Sequence, residues 1–160
     1  MLVRIAQPFE TPAVTTLINR AFEVEKFFID GDRTNEEQVR QLFEKGSFLA
    51  INAAGKIVAC VYVEPQGPLG YLGLLSVEPA RHGNGLGKRL VEASENFARG
   101  RGCETMYLNI VNVREELPPF YRKLGYRETG TAPFHADATE KVKLPCHFIR
   151  MEKALRPEFE

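Results

Sequence analysis

Three glycines alternate in Gly83-Asn84-Gly85-Leu86-Gly87, between a run that ends at Val77 and one that starts at Leu86. Residues without side chains let the backbone adopt positive φ and come close to a ligand. The first turn of a helix leaves amide N–H groups free, and its dipole places about half a positive charge there. Together these features suit phosphate oxygens. Two phosphate-binding designs fail on the residues. A magnesium-dependent nucleotide loop needs Ser or Thr after Gly-Lys, and Arg89 follows Gly87-Lys88. A dinucleotide fingerprint needs a third glycine where Lys88 stands.

The remaining design is a diphosphate turn of the coenzyme A kind, set against a glycine turn used only for tight strand–helix packing. A second segment with chemical content is Phe120-Tyr121-Arg122-Lys123-Leu124-Gly125-Tyr126. A phenol with a pKa of about 10 is protonated at neutral pH and can donate to a thiolate. On spacing alone Tyr121 is equally an aromatic on a buried helix face. Cys60, Cys103 and Cys146 are far apart and lack CxxC spacing, which argues against a disulfide framework and a zinc site. His82, His135 and His147 form no ligand pattern with them, so no metal is expected.

These segments need elements to hold them. Val3 and Ile5 suggest a short strand; Thr11-Pro12 starts a helix carried by Val14, Leu17, Ile18, Ala21 and Phe22. Phe27 to Asp32 reads as a loop. Thr34 and Glu37 form a capping box for a second helix, which Gly46 ends. Strands are predicted over 48–51, 57–63 and 71–77, with a hairpin turn at Asn52–Gly55 and a loop marked by Pro65, Gly67, Pro68 and Gly70. A third helix leaves the glycine turn with Leu86, Leu90, Ala93 and Phe97 on one face. A strand over 106–111, a short helix over 117–124, a strand from Tyr126, a polar loop over 133–145, a last strand over 146–151 and a frayed tail over 155–160 complete the chain. The order β-α-α-β-β-β-α-β-α-β-β predicts an α/β (α+β) fold, a mixed sheet of about seven strands flanked by about four helices.

The chain has 160 residues, which fits one domain over 1–160. Its 21 basic and 21 acidic residues cancel, which gives no support to a nucleic-acid surface. No stretch approaches 18 apolar residues, so no membrane span is expected. Met1 to Ile5 lacks the apolar run of a signal peptide, and we expect a cytoplasmic protein.

With these residues in view the chain resembles the GCN5-related N-acetyltransferase (GNAT) superfamily, most specifically over 74–125. The family motif, Gln or Arg, two residues, Gly, one residue, then Gly or Ala, maps onto His82-Gly83-Asn84-Gly85-Leu86-Gly87. His82 departs from it, and Arg81 sits one residue early. The resemblance implies a mostly antiparallel sheet whose fourth and fifth strands splay apart. It also implies acetyl-CoA as cosubstrate, held by Leu75, Ser76, Val77, His82, Gly83, Asn84, Gly85, Leu86, Gly87 and Lys88, with Tyr121 as proton donor to the departing thiol. Many relatives carry asparagine seven residues before that tyrosine; here it is Arg114, read as pairing with Glu115 or Glu116 at the surface.

A base for the acceptor amine is expected among Glu64, Glu78, Tyr71, His135 and His147. Glu23, Glu25, Asp30 and Asp32 with Phe27 and Phe28 suit a cationic amine with an apolar portion. A small-molecule amine acceptor is the leading expectation. A protein or peptide acceptor and a non-catalytic acyl-CoA sensor are the alternatives, and a homodimer is left open.

Overall fold

The computed structural model describes residues 2–134 and 142–155. His135, part of the 133–145 loop and residues 156–160 lie outside them. Among the described residues the chain forms β1 (Val3–Ile5), α1 (Thr11–Ala21), α2 (Glu36–Lys45), β2 (Ser47–Ala53), β3 (Lys56–Gln66), β4 (Leu69–Val77), α3 (Leu86–Arg99), β5 (Thr105–Val111), α4 (Leu117–Lys123), β6 (Arg127–Pro133) and β7 (His147–Ala154). Short 3-10 turns cover Pro8–Glu10, Phe22–Phe27 and Pro79–Arg81. The element order matches the sequence reading.

The strands make one sheet in the order β1-β2-β3-β4-β5-β7-β6. Every neighbouring pair is antiparallel except β4 and β5, which run parallel. Alternation along β2 sends Phe48 and Ala50 to the side of α1 and α2, and Leu49 and Ile51 to the side of α3. β3 is covered on both faces, so Val58 to Val63 reads as one unbroken buried run. No described helix is long and apolar enough to cross a membrane.

Several local readings are corrected. The cap of α2 is Asn35, whose side chain accepts from the Gln38 N–H at 2.9 Å. Thr34 instead donates its hydroxyl to Gln38 Oε1, and Glu37 faces Arg40 and Gln41. Extended backbone at Asn35 (φ −142°) puts its short amide over the first turn. Pro65 belongs to β3 and Gly70 to β4; the turn between these strands is Gly67-Pro68 alone. Pro65 lies beyond the end of β2, which stops at Ser47↔Val63, so its missing N–H breaks no ladder bond on that side. Leu155, placed in the predicted tail, is buried and donates its N–H to the Glu104 carbonyl at 2.8 Å, so it belongs to the packed fold. On α3, Ser94 and Glu95 are buried while Ala93 and Phe97 are only partly so.

Candidate active site

The site starts from an irregularity in β4. Tyr62 pairs with Gly73 and Cys60 with Ser76, so Leu74 and Leu75 together oppose Val61: a β-bulge. Leu74 takes φ +53°, a value that β-branched or bulky residues rarely adopt. The buried Ser76 hydroxyl donates to the Leu74 carbonyl at 2.9 Å and clamps the bulge. On its other edge β4 pairs with β5 only through Leu69↔Thr105, Gly70↔Met106 and Tyr71↔Tyr107. Beyond Tyr71 the two strands part. β5 stays paired to β7 through Val111, and β4 stays paired to β3 through Val77.

The parting opens a cavity of about 200 Å³. Its walls are Leu72 to Leu75 of β4, Leu108 to Val111 of β5, and Leu117 and Tyr121 of α4. The segment after α1 closes the far side with Phe22, Glu25, Asp30, Asp32 and Arg33. Glycine at 73 has a steric reason. A Cβ there would meet the ring and hydroxyl of Tyr71, which folds back over the strand. Burial raises the Tyr71 phenol pKa above its ordinary value, so at neutral pH it is a donor rather than a base.

Tyr121 is 5% exposed and stands edge-on to Phe120 and to Tyr126, with ring centroids 5.0 and 5.8 Å apart. Burial pushes its pKa up, against a smaller pull from Arg114. It therefore holds its proton through the neutral range. Among the described residues no group hydrogen-bonds its hydroxyl, which lets it serve a ligand in the cavity.

The glycine turn lies at the neighbouring end of β4. Gly83 and Gly85 take φ +86° and +75°, and a Cβ on either would meet nothing. They are glycines for backbone conformation, and their outer side is open. Gly85 is the N-cap of α3 and supplies no side-chain cap. No described group accepts from the amides of Leu86, Gly87 or Lys88, the orphan donors of the first turn. A Cβ at Gly87 would make ordinary contact, 3.4 Å from Phe120 Cζ and 3.7 Å from Leu75 Cδ2. The first turn of α3 therefore lies beside the parted strand and the Tyr121 helix.

The other sequence-predicted residues sort as follows. Leu75 lines the gap, Ser76 is occupied by the bulge, and Val77 pairs with Ala59. His82 turns its Nε2 to the Val77 carbonyl at 3.2 Å, so that nitrogen is spent on the end of β4. Asn84 and Lys88 are exposed, and the Leu86 side chain is buried in the core. Among the base candidates, only Tyr71 lines the cavity within the described residues. Glu64 accepts from the Tyr62 hydroxyl at 2.6 Å and from Gln66 at 2.8 Å. Glu78 pairs with Arg20, and His147 is exposed. Arg114 does pair with Glu116, at 3.0 Å, but also with Glu25 at 3.2 Å, and it is a half-sunk wall of the cavity rather than a surface group. Burial holds the Glu25 carboxyl above its usual range despite Arg114. Glu25 is thus the carboxyl in the cavity with a perturbed proton affinity, a pattern tied to functional groups. Its pairing with Arg114 carries no local sequence signal. No group of three or more His, Cys, Asp or Glu is arranged for a metal among the described residues.

The free amides beside open glycines fit a diphosphate, and the apolar walls of the gap fit an acyl-bearing arm. Comparison with known proteins gives the family and the fold. The model of the Acetyltransferase (GNAT) family matches residues 12–126. Mycothiol acetyltransferase of Saccharomonospora viridis is 32% identical over 131 residues, covering 74% of this chain and 43% of that protein. The chain spans about half or less of the length of the curated relatives it matches. The ribosomal-protein-S18-alanine N-acetyltransferase of Escherichia coli superposes with a TM-score of 0.79 at 17% identity, covering 99% of this chain and 97% of that one. An aminoglycoside 6'-N-acetyltransferase complexed with coenzyme A gives 0.75 at 21% identity over 100% of both chains. At such identities the two structures speak for the fold.

Proposed function

The chain belongs to the GNAT acetyltransferase family, and from that membership we propose that it moves an acetyl group from acetyl-CoA to a primary amine of a small molecule. The observation that carries the proposal is the parting of β4 from β5 beside the unpaired amides of α3. Acetyl-CoA would supply the activated thioester. In this reading the Gly83–Lys88 turn grips its diphosphate, and Leu75, Ser76 and Val77 offer β4 backbone groups to the arm that enters the gap.

The chain's own contribution is then positional and acid–base. Holding amine and thioester together removes the entropy cost of a bimolecular encounter. A main-chain N–H near Leu75 stabilises developing negative charge, a donor typically worth about 2.7–4 kcal/mol. The Tyr121 hydroxyl gives its proton to the departing thiolate, which leaves as the thiol, and Glu25 attracts the acceptor ammonium and takes its proton. A cavity volume of about 200 Å³ favours a small acceptor over a peptide. The test is thiol release from acetyl-CoA across a panel of small amines and N-terminal peptides, alongside calorimetric titration with coenzyme A. Turnover with a small amine supports the reading; turnover with peptides alone moves the acceptor class. Tight coenzyme A binding without turnover for any acceptor makes the chain a sensor.

A further inference from the structure

Glu95 is 4% exposed in the middle of α3, an unusual place for a carboxylate. Both of its oxygens accept hydrogen bonds. Lys153 Nζ of β7 donates to Oε1 at 2.9 Å and to Oε2 at 3.1 Å, and the Tyr126 hydroxyl donates to Oε2 at 2.9 Å. Burial and the adjacent carboxylate push the Tyr126 phenol pKa up, so its proton stays in that bond. Tyr126 in turn holds Tyr121 in two ways. Its ring meets the Tyr121 ring edge to face at 74°, and its N–H donates to the Tyr121 carbonyl at 3.0 Å. Gly125 at φ +97° allows this reversal, and a Cβ there would come within 3.2 Å of Lys153 Cε.

From this geometry we infer that Glu95, Lys153 and Tyr126 are positioning residues that fix the hydroxyl of Tyr121 relative to the amide cluster of α3. The inference rests on the proposed role of Tyr121. The first turn of α3 carries the free amides, and Glu95 lies further along the same helix. One buried carboxylate therefore ties the helix that would grip the diphosphate to the helix that would protonate the thiol. A core of similar volume could be built from apolar residues without the cost of burying charge. Directional bonds are what an apolar core would not supply, and they set the orientation of one ring against another.

The test is a double-mutant cycle between Tyr126→Phe and Tyr121→Phe, read as separate kcat and KM values. Tyr126→Phe keeps the ring and leaves Glu95 paired with Lys153, so the fold is expected to survive. We expect kcat to fall about tenfold with the KM for acetyl-CoA within about twofold, and the double variant to be no slower than Tyr121→Phe alone. Multiplying losses would mean a general structural role and overturn the inference. So would an unchanged kcat for Tyr126→Phe where Tyr121→Phe is slow. If Tyr121→Phe itself turns over normally, the acid assignment falls first and the inference with it, a result distinguishable from the other two. Should Tyr126→Phe fail to fold, Glu95→Gln replaces it. A single sharp fluorine resonance from 3-fluorotyrosine at position 121 in the parent, broadened or split in Glu95→Gln, then supports the inference. Unchanged fluorine spectra overturn it.

Discussion

The ring of Tyr71 lies across Gly73, so close that a β-carbon at 73 would stand 2.6 Å from the phenol oxygen. The two residues share one side of β4, and the missing side chain lets the aromatic wall turn into the gap where β4 and β5 part. Gly73→Ala is expected to displace that ring at a cost of about 1–3 kcal/mol of overpacking. Acceptor KM should rise several-fold while coenzyme A affinity, set at the other end of the site, stays within about twofold. Steady-state kinetics with calorimetry would separate the two.

Gly85→Glu should abolish coenzyme A binding. The position has φ +75°, which strains any L side chain, and the new carboxylate would sit beside the orphan amides. Gly85→Ala isolates the strain, expected at about 1 kcal/mol, and should weaken binding far less. Calorimetric titration of both variants checks the order.

Tyr121→Phe should reduce kcat by about 10²–10⁴ and leave cofactor affinity unchanged, since general acid catalysis is typically worth that much. Burial raises the phenol pKa above its ordinary 10.0, so Tyr121 should impose no falling limb on the rate below pH 10. A pH–rate profile of the parent reads this directly.

Glu25→Gln should raise acceptor KM and change how stability depends on pH. Burial lifts the folded pKa of Glu25 above its ordinary 4.5, so the folded state binds this proton more tightly than the unfolded one. Its contribution to stability is therefore greatest below 4.5 and is lost as pH rises through the raised folded value. Relative to Glu25→Gln, the parent should gain thermal stability as pH falls through that window. Paired melting curves across it, with acid-stable buffers, provide the measurement. A stability difference that stays flat contradicts the assignment.

Much of the framework was legible because its signals are local. Glycines and prolines punctuate the chain, and Leu86 with Leu90 marks a helix leaving the turn. The glycine turn was legible for the same reason, since Gly83 and Gly85 need positive φ and little else. The bulge was not. Leucine at φ +53° has no sequence signature and is imposed by the register of β3 against β4 and the Ser76 clamp. Glu95 was passed over on α3 because a carboxylate reads as solvated until Lys153 and Tyr126, from distant parts of the chain, are seen around it. Glu25 and Arg114 pair across the cavity from positions too far apart in the chain for any local pattern to join them. Asn35 rather than Thr34 caps α2 because the choice turns on one backbone angle.

The seam between β4 and β5 has a mechanical consequence. Three residue pairs are all that stitch β1-β2-β3-β4 to β5-β7-β6 within the sheet. The two leaves thus share a short backbone seam, are joined elsewhere by the bonds of Glu95 to Lys153 and Tyr126, and leave the wedge open beyond the seam. A molecule seated in the wedge would act as a spacer bridging both leaves, and would show itself as slower amide exchange along the unpaired edges of Leu72–Val77 and Leu108–Val111.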